Sequence, residues 1–92
     1  MKNELTGAVF TEHSLLRVAK REISEDAVRS VLADPVEIAE IRPGRIVVHG
    51  IVSAGAPGTY QLLREFVDVD RVPVEIVTVY ATSKLGKYTR LS

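Results

Sequence analysis

The chain has 92 residues, of which 46% are hydrophobic, and its twelve basic residues balance twelve acidic ones. This length predicts one domain with its own core, and the composition argues against an intrinsically disordered chain. Because the sequence contains no cysteine, a disulfide scaffold, a thiolate metal site and a cysteine nucleophile are excluded.

The sequence shows no signal peptide and no apolar run near the roughly 20 residues that cross a bilayer. We therefore expect a cytoplasmic protein that makes no contact with a membrane. A net charge of zero argues against binding long nucleic acid through charge alone. Residues 13–21 and residues 81–92 nevertheless carry three cations each and no acid, so a local basic patch forms if the two segments meet.

Two helices are predicted near the amino terminus. A short strand or arm at residues 7–10 precedes Thr11, whose hydroxyl can cap a helix over residues 12–22. Ser24 caps a second helix, which ends before Pro35 because the residue before a proline resists the helical region.

Beyond Pro35 the hydrophobic pattern changes to that of strands. Strand-like runs occupy residues 36–41, 46–52, 60–69 and 74–82, and turns with proline or glycine separate them. Every connection is short enough for a hairpin, which predicts a four-stranded antiparallel meander. We therefore predict an α+β fold in which two helices cover one face of this sheet, as a single domain over residues 1–92.

His13, Arg17 and Arg21 form the first candidate site. On a helix, residues four apart share a face, so these side chains make one stripe. An imidazole that titrates near neutral pH beside guanidinium groups that bind phosphate is suited to cutting RNA. The same stripe is also typical of the solvated face of an ordinary amphipathic helix.

The last strand and its exit form the second candidate. Thr78, Tyr80, Thr82 and Lys84 alternate with apolar residues, so they share one face of a strand. Such a polar row indicates either a functional surface or an ordinary solvent-exposed face. Tyr88 adds an aromatic ring just beyond it.

The remaining residues suggest no bound cofactor. We interpret His49 as structural, because a lone strand histidine without partners usually fills a half-buried position. Its separation of 36 positions from His13 gives no metal-ligand spacing, and no acidic cluster completes a site. The scattered glycines form no phosphate-binding fingerprint.

The motifs together resemble the family catalogued as domain of unknown function 4258, over nearly the whole chain from Phe10 to about Tyr88. One departure is Glu22, where the family often has glycine, and we expect it to alter the turn between the helices rather than the chemistry. The matching blocks are Phe10-Thr11-x-His13-x3-Arg17-x3-Arg21-x-Ile23-Ser24-x3-Val28, Arg42-Pro43-Gly44-Arg45 and Val77-Thr78-Val79-Tyr80-x-Thr82-Ser83-Lys84.

That family is distantly similar to the RelE and BrnT toxins of toxin–antitoxin systems, which are small ribonucleases. The resemblance implies a RelE-like fold and metal-independent cleavage of RNA, in which a 2′-hydroxyl attacks the adjacent phosphate. It implies RNA, free or on the ribosome, as substrate and a cognate antitoxin as partner. By this resemblance His13 is the acid or base, Arg17 and Arg21 stabilise the phosphate, and Tyr80 and Lys84 are further catalytic candidates. The candidates for binding the substrate are Lys20, Thr82, Lys87 and Tyr88.

Two other hypotheses remain open on the residues alone. The same surface can serve a non-catalytic interaction module, such as an inactive toxin relative or a phage-encoded regulator. Alternatively, the apolar run at residues 74–79 can pair two copies into a homodimer if its edge is exposed. Convergence of His13 and Arg17 with the row from Tyr80 to Lys84 on one concave surface would favour the enzyme.

Overall fold

A computed structural model describes residues 4–53 and 57–84. A short 3-10 helix at Glu4–Gly7 precedes two α-helices and five strands within this part of the chain. In chain order these are β1 (Val9–Phe10), α1 (Glu12–Lys20), α2 (Glu25–Ala33), β2 (Glu37–Arg42), β3 (Arg45–Ser53), β4 (Tyr60–Asp68) and β5 (Glu75–Thr82).

The α+β class is confirmed, but the predicted four-stranded antiparallel sheet is wrong in one strand. The sheet is five-stranded and mixed, with the order β1-β5-β4-β3-β2. Strands β2 to β5 form the expected antiparallel meander. The additional strand is β1, which pairs in parallel with the start of β5, Val9 opposite Glu75 and Phe10 opposite Ile76.

The two helices lie on one face of the sheet, as predicted, and the core forms between them and the strands. Helix α1 packs against β5, and α2 packs against β3 and β4. The register places Val48, Leu63 and Val79 on this face. The buried apolar cluster consists of Leu5, Ala8, Val18, Val28, Val31, Leu32, Val48, Leu63, Val67, Val74, Ile76 and Val79.

Both predicted helix caps are present. The Thr11 hydroxyl accepts a hydrogen bond from the Ser14 N–H at 3.1 Å and donates one to the carbonyl of Ile76 at 3.0 Å. It therefore caps α1 and also ties the start of that helix to β5. The Ser24 hydroxyl accepts from two backbone N–H groups in the first turn of α2.

Helix α1 ends at Lys20, two residues before the predicted end, because the chain reverses at Glu22. The N–H of Ile23 donates to the carbonyl of Val18, and the N–H of Glu22 donates to the carbonyl of Ala19. These two bonds form a Schellman motif, whose central residue adopts left-handed backbone. Glu22 has φ 56°, a backbone conformation that glycine adopts without strain.

Glu22→Gly is expected to raise the free energy of unfolding by about 0.5–1 kcal/mol. The left-handed conformation costs a residue with a Cβ about 1–2 kcal/mol, and glycine removes this strain from the folded state. Glycine also has greater freedom in the unfolded chain, which lowers stability and offsets part of the effect. Urea denaturation measures the change. Glu25→Gly is the control: Glu25 is the first residue of α2, so the same replacement should lower stability. Equal effects at both positions would contradict the strain at Glu22.

Candidate functional site

His13 and Arg17 lie together on the outer side of α1. His13 is exposed and Arg17 is half-buried. The Nε–H of Arg17 donates to Nε2 of His13 across 3.4 Å, a long and weak hydrogen bond. The single lone pair of His13 Nε2 is the acceptor in this contact, so the nitrogen can act as a base only when the contact is released. With Leu16 and Lys20, the two side chains line a shallow depression of about 300 Å³.

Arg21, the third member of the stripe, reaches β5. Its Nη1 donates to the carbonyl of Val79 at 2.8 Å, and its guanidinium carbon lies 4.5 Å from the centre of the Tyr80 ring. Because β1 pairs with β5 only at Glu75 and Ile76, β5 is an edge strand beyond that point. Arg21 therefore satisfies one backbone acceptor on this exposed edge. Its contact with the Tyr80 ring also joins the stripe on α1 to the row on β5.

The β5 row lies on the sheet face opposite the helices. Tyr80 and Thr82 stand opposite Arg64 and Leu62 in the register. Tyr80 is 42% exposed, and its ring meets Phe66 edge to face with 5.8 Å between the ring centres. A second depression, of about 320 Å³, is lined by Arg64, Tyr80, Ala81 and Thr82.

The end of this row is only partly described. Lys84 is exposed, and its backbone N–H donates to the Thr82 hydroxyl at 3.1 Å. The predicted substrate-binding residues Lys87 and Tyr88 lie outside the described residues.

The structure therefore connects the two predicted motifs through Arg21 rather than through one shared pocket. His13 and Arg17 line one depression, while Tyr80 and Thr82 line the other. Among residues 4–53 and 57–84, no hydrogen bond, ion pair or ring contact joins His13 to Tyr80 or Lys84. A substrate that meets all of these groups must extend from α1 past Arg21 to β5.

A polar row on the helix-free face was not predicted. Glu37, His49, Arg64 and Tyr80 stand directly opposite one another on β2 to β5. Glu37 Oε1 lies 3.2 Å from His49 Nδ1, and the Nε–H of Arg64 donates to His49 Nε2 at 3.2 Å. The expectation that His49 lacks partners was wrong, although its burial and its two bonds suit a structural role.

Glu65 is the second feature that the sequence did not indicate. This carboxyl is fully buried on the helix face of β4, opposite Val48 on β3 and Val79 on β5. Neither of its oxygens has a hydrogen-bond partner in the described structure. Burial raises the pKa of Glu65 to about 9, so the side chain is protonated near neutral pH.

The ionic cluster at the carboxyl end of β4 is structural. Arg45 donates to Asp68 through Nε at 2.6 Å and through Nη2 at 3.0 Å. Hydrogen bonding to Arg45 is the main reason that the pKa of Asp68 lies below its ordinary value. Arg71 approaches the same carboxylate at 3.6 Å and also pairs with Glu75. These pairs hold the start of β3 and the turn before β5 against the end of β4.

Comparisons with known proteins leave the site to be interpreted on its own geometry. The chain matches no protein-family model, no curated protein and no solved structure. In the described part of the chain, no three His, Cys, Asp or Glu side chains are grouped to hold a metal ion. No helix in the same residues is long and apolar enough to cross a membrane.

Proposed function

We propose that this domain is a metal-independent endoribonuclease with a RelE-like fold, acting in the cytoplasm and neutralised by an antitoxin. The observation that carries the proposal is the contact of Arg21 with Tyr80, at 4.5 Å from the ring centre. It links a histidine–arginine pair on α1 to a row of hydroxyl groups on β5, although the two segments are far apart in the sequence. RNA phosphates would follow the cations along α1.

The chemistry needs a base, an acid and a stabiliser of the charge on phosphorus. When RNA displaces the long contact of His13 with Arg17, the lone pair of His13 Nε2 takes the proton of the RNA 2′-hydroxyl. The 2′-oxygen then attacks the adjacent phosphorus, and the bond to the 5′-oxygen of the next nucleotide breaks. Arg17 and Arg21 stabilise the negative charge that builds on the phosphate. The Tyr80 hydroxyl or the Lys84 ammonium gives a proton to the leaving 5′-oxygen. Both oxygens are bonded to the same phosphorus, so the scissile phosphate has to lie at Arg21, which joins α1 to β5.

His13→Ala is expected to lower the rate of RNA cleavage by at least about a hundredfold, because it removes the base. Arg17→Ala should lower it by about tenfold or more, because it removes a stabilising charge. The assay follows a short RNA, and mass spectrometry identifies the expected 2′,3′-cyclic phosphate. Since His13 is exposed, circular dichroism should show an unchanged fold.

Arg42→Ala is the matched control for this experiment. Arg42 is an exposed arginine on β2, at the opposite edge of the sheet from β1 and from Arg21. Its removal changes the net charge by the same amount and should leave cleavage unchanged. Intact RNA after incubation with the unmodified protein, or full activity of His13→Ala, would reject the nuclease.

A non-catalytic binding module is the second candidate. It is favoured because His13 and Tyr80 line separate depressions rather than one concave surface, and also by the bonding of Arg21. The Arg21 guanidinium already donates to the Val79 carbonyl and covers the Tyr80 ring. Fewer of its N–H groups are therefore left to bind a phosphate. RNA in which every 2′-hydroxyl is replaced by hydrogen separates the two functions. The nuclease predicts cleavage of normal RNA only, whereas the binding module predicts equal binding of both and cleavage of neither.

A further inference from the structure

Strand β2 is an outer edge of the sheet. In the sheet order β1-β5-β4-β3-β2, its one neighbour among the described strands is β3. The backbone groups on the outer side of an edge strand can pair with another extended segment. This edge is the farthest part of the sheet from the β1 side, where Arg21 contacts β5.

The two edges of the sheet differ in how they are protected. At β5, the strand β1 covers Glu75 and Ile76, and Arg21 binds the Val79 carbonyl. Strand β2 contains neither lysine nor proline within its bounds, and the charged residues that guard its pairing stretch are the acids Glu37 and Glu40. A bulge between Glu40 and Arg42 bends the end of β2, which leaves residues 36–40 as the pairing stretch.

The side chains along this edge are aliphatic and acidic. Val36 and Ile38 are 46% and 49% exposed, so both present apolar surface to solvent. Asp34 and Glu40 are exposed carboxylates on the same segment, and Glu37 is half-buried beside His49. The segment from Asp34 to Glu40 has no cation, so its charge favours a basic partner.

We propose that residues 36–40, which are Val36 and the first four residues of β2, bind an extended peptide segment of a partner protein. Because Ile38 and Glu40 lie on the same face of β2, the segment must carry two aliphatic residues between two basic ones on one face of its own strand. Backbone hydrogen bonds to β2 would add the segment to the sheet as a sixth strand. Its aliphatic side chains would cover Val36 and Ile38, and its cations would pair with Asp34 and Glu40. This surface lies away from His13 and Arg21, so the interaction does not depend on the proposed nuclease.

A second copy of the chain fits this edge less well than a basic peptide. Antiparallel pairing of two β2 strands would bring Glu37 and Glu40 of both copies to one seam. Like charges on adjacent strands are unfavourable, and Arg42, at the bulged end, is the one cation of β2. The negative charge of this edge therefore favours a basic partner over a second copy of this protein.

The probe is a synthetic peptide of about seven residues, Lys-Thr-Val-Thr-Val-Thr-Lys, whose lysines and valines share one face when it is extended. Its counterpart has glutamate in place of both lysines. Fluorescence anisotropy measures binding, and two-dimensional NMR identifies the backbone amides that shift. We expect the lysine peptide to bind, with shifts concentrated at residues 36–40 and weaker binding at high salt. Ile38→Lys and Glu40→Lys should each raise the Kd by about tenfold.

Val72→Lys is the control variant, because Val72 is 99% exposed in the loop before β5 and the change should leave the Kd unaltered. Circular dichroism shows whether each variant keeps its fold. Equal binding of the two peptides, NMR shifts away from β2, or an unchanged Kd for Ile38→Lys would overturn the proposal. A dimer that forms without peptide and is lost in Ile38→Lys would assign the edge to a second copy instead.

Discussion

Glu65→Leu is expected to raise the free energy of unfolding near pH 7 by about 3 kcal/mol. The carboxyl is fully buried between Val48 and Val79 without a hydrogen-bond partner in the described structure. Its pKa is raised from 4.5 to about 9 by burial, and each unit of such a shift corresponds to about 1.4 kcal/mol. Leucine has a similar volume and no polar atoms, so it fills the same space without this penalty.

The effect should depend on pH with a definite sign. Below about pH 4.5 the carboxyl is protonated in both the folded and the unfolded chain, so it contributes no pH dependence. Between about pH 4.5 and pH 9 the unfolded chain releases the proton while the folded chain keeps it. Rising pH therefore stabilises the unfolded state, and the advantage of the leucine variant should grow across this interval.

Urea denaturation at about pH 5 and about pH 8 measures this dependence. Glu65→Gln is the control, because it keeps the shape and polarity of the side chain but cannot ionise. The difference in stability between the original protein and the glutamine variant should change with pH in the same direction as for leucine. A constant difference across this range would show that Glu65 is not a buried, protonated acid.

Gly50→Ala is expected to lower the free energy of unfolding by about 2–3 kcal/mol, the usual cost of overpacking a core. Gly50 lies on β3 beneath α2, and a Cβ at this position would stand 2.5 Å from Cγ2 of Val31 and 2.6 Å from its Cγ1. Either α2 or Val31 must shift to admit the methyl group. For a domain of this size the loss corresponds to a fall in melting temperature of roughly 10 °C or more.

Two further variants test the cause of this loss. Gly7→Ala introduces the same methyl group where nothing lies within 4 Å of the new Cβ, so the melting temperature should change little. In the double variant Gly50→Ala/Val31→Ala, the smaller side chain removes the nearest obstacles, and the combined loss should be smaller than the sum of the single losses. Additive losses would place the strain somewhere other than the contact between α2 and β3.

The sequence predicted the helices and the meander well because their signals are local. Thr11 and Ser24 cap helices through N–H groups two or three residues away, and Pro35 stops α2 through its immediate neighbour. Turns with proline or glycine separate the strand-like runs. The end of α1 was placed two residues late because Glu22 carries no glycine signal, although its backbone is left-handed.

Of the candidate site, only the contact between residues close in sequence, His13 and Arg17, could be predicted. The spacing of His13 and Arg17 brings their side chains together on any helix, and the structure has them in contact at 3.4 Å. The reach of Arg21 to Val79 and Tyr80 spans nearly sixty positions of the chain, so no spacing rule indicates it. The bonds of His49 with Glu37 and Arg64 likewise depend on the register of three strands.

By itself, the amino-acid sequence determined the α+β class, the two capped helices and the order of the four long strands. Those features depend on backbone preferences and on hydrophobic periods that extend over a few residues. Only the tertiary structure decided that β1 pairs in parallel with β5, that Glu65 lies buried and that Arg21 covers an open strand edge. Each of these requires two distant segments to pack in one register, and the burial and hydrogen bonds that stabilise that register form only when the whole sheet is assembled.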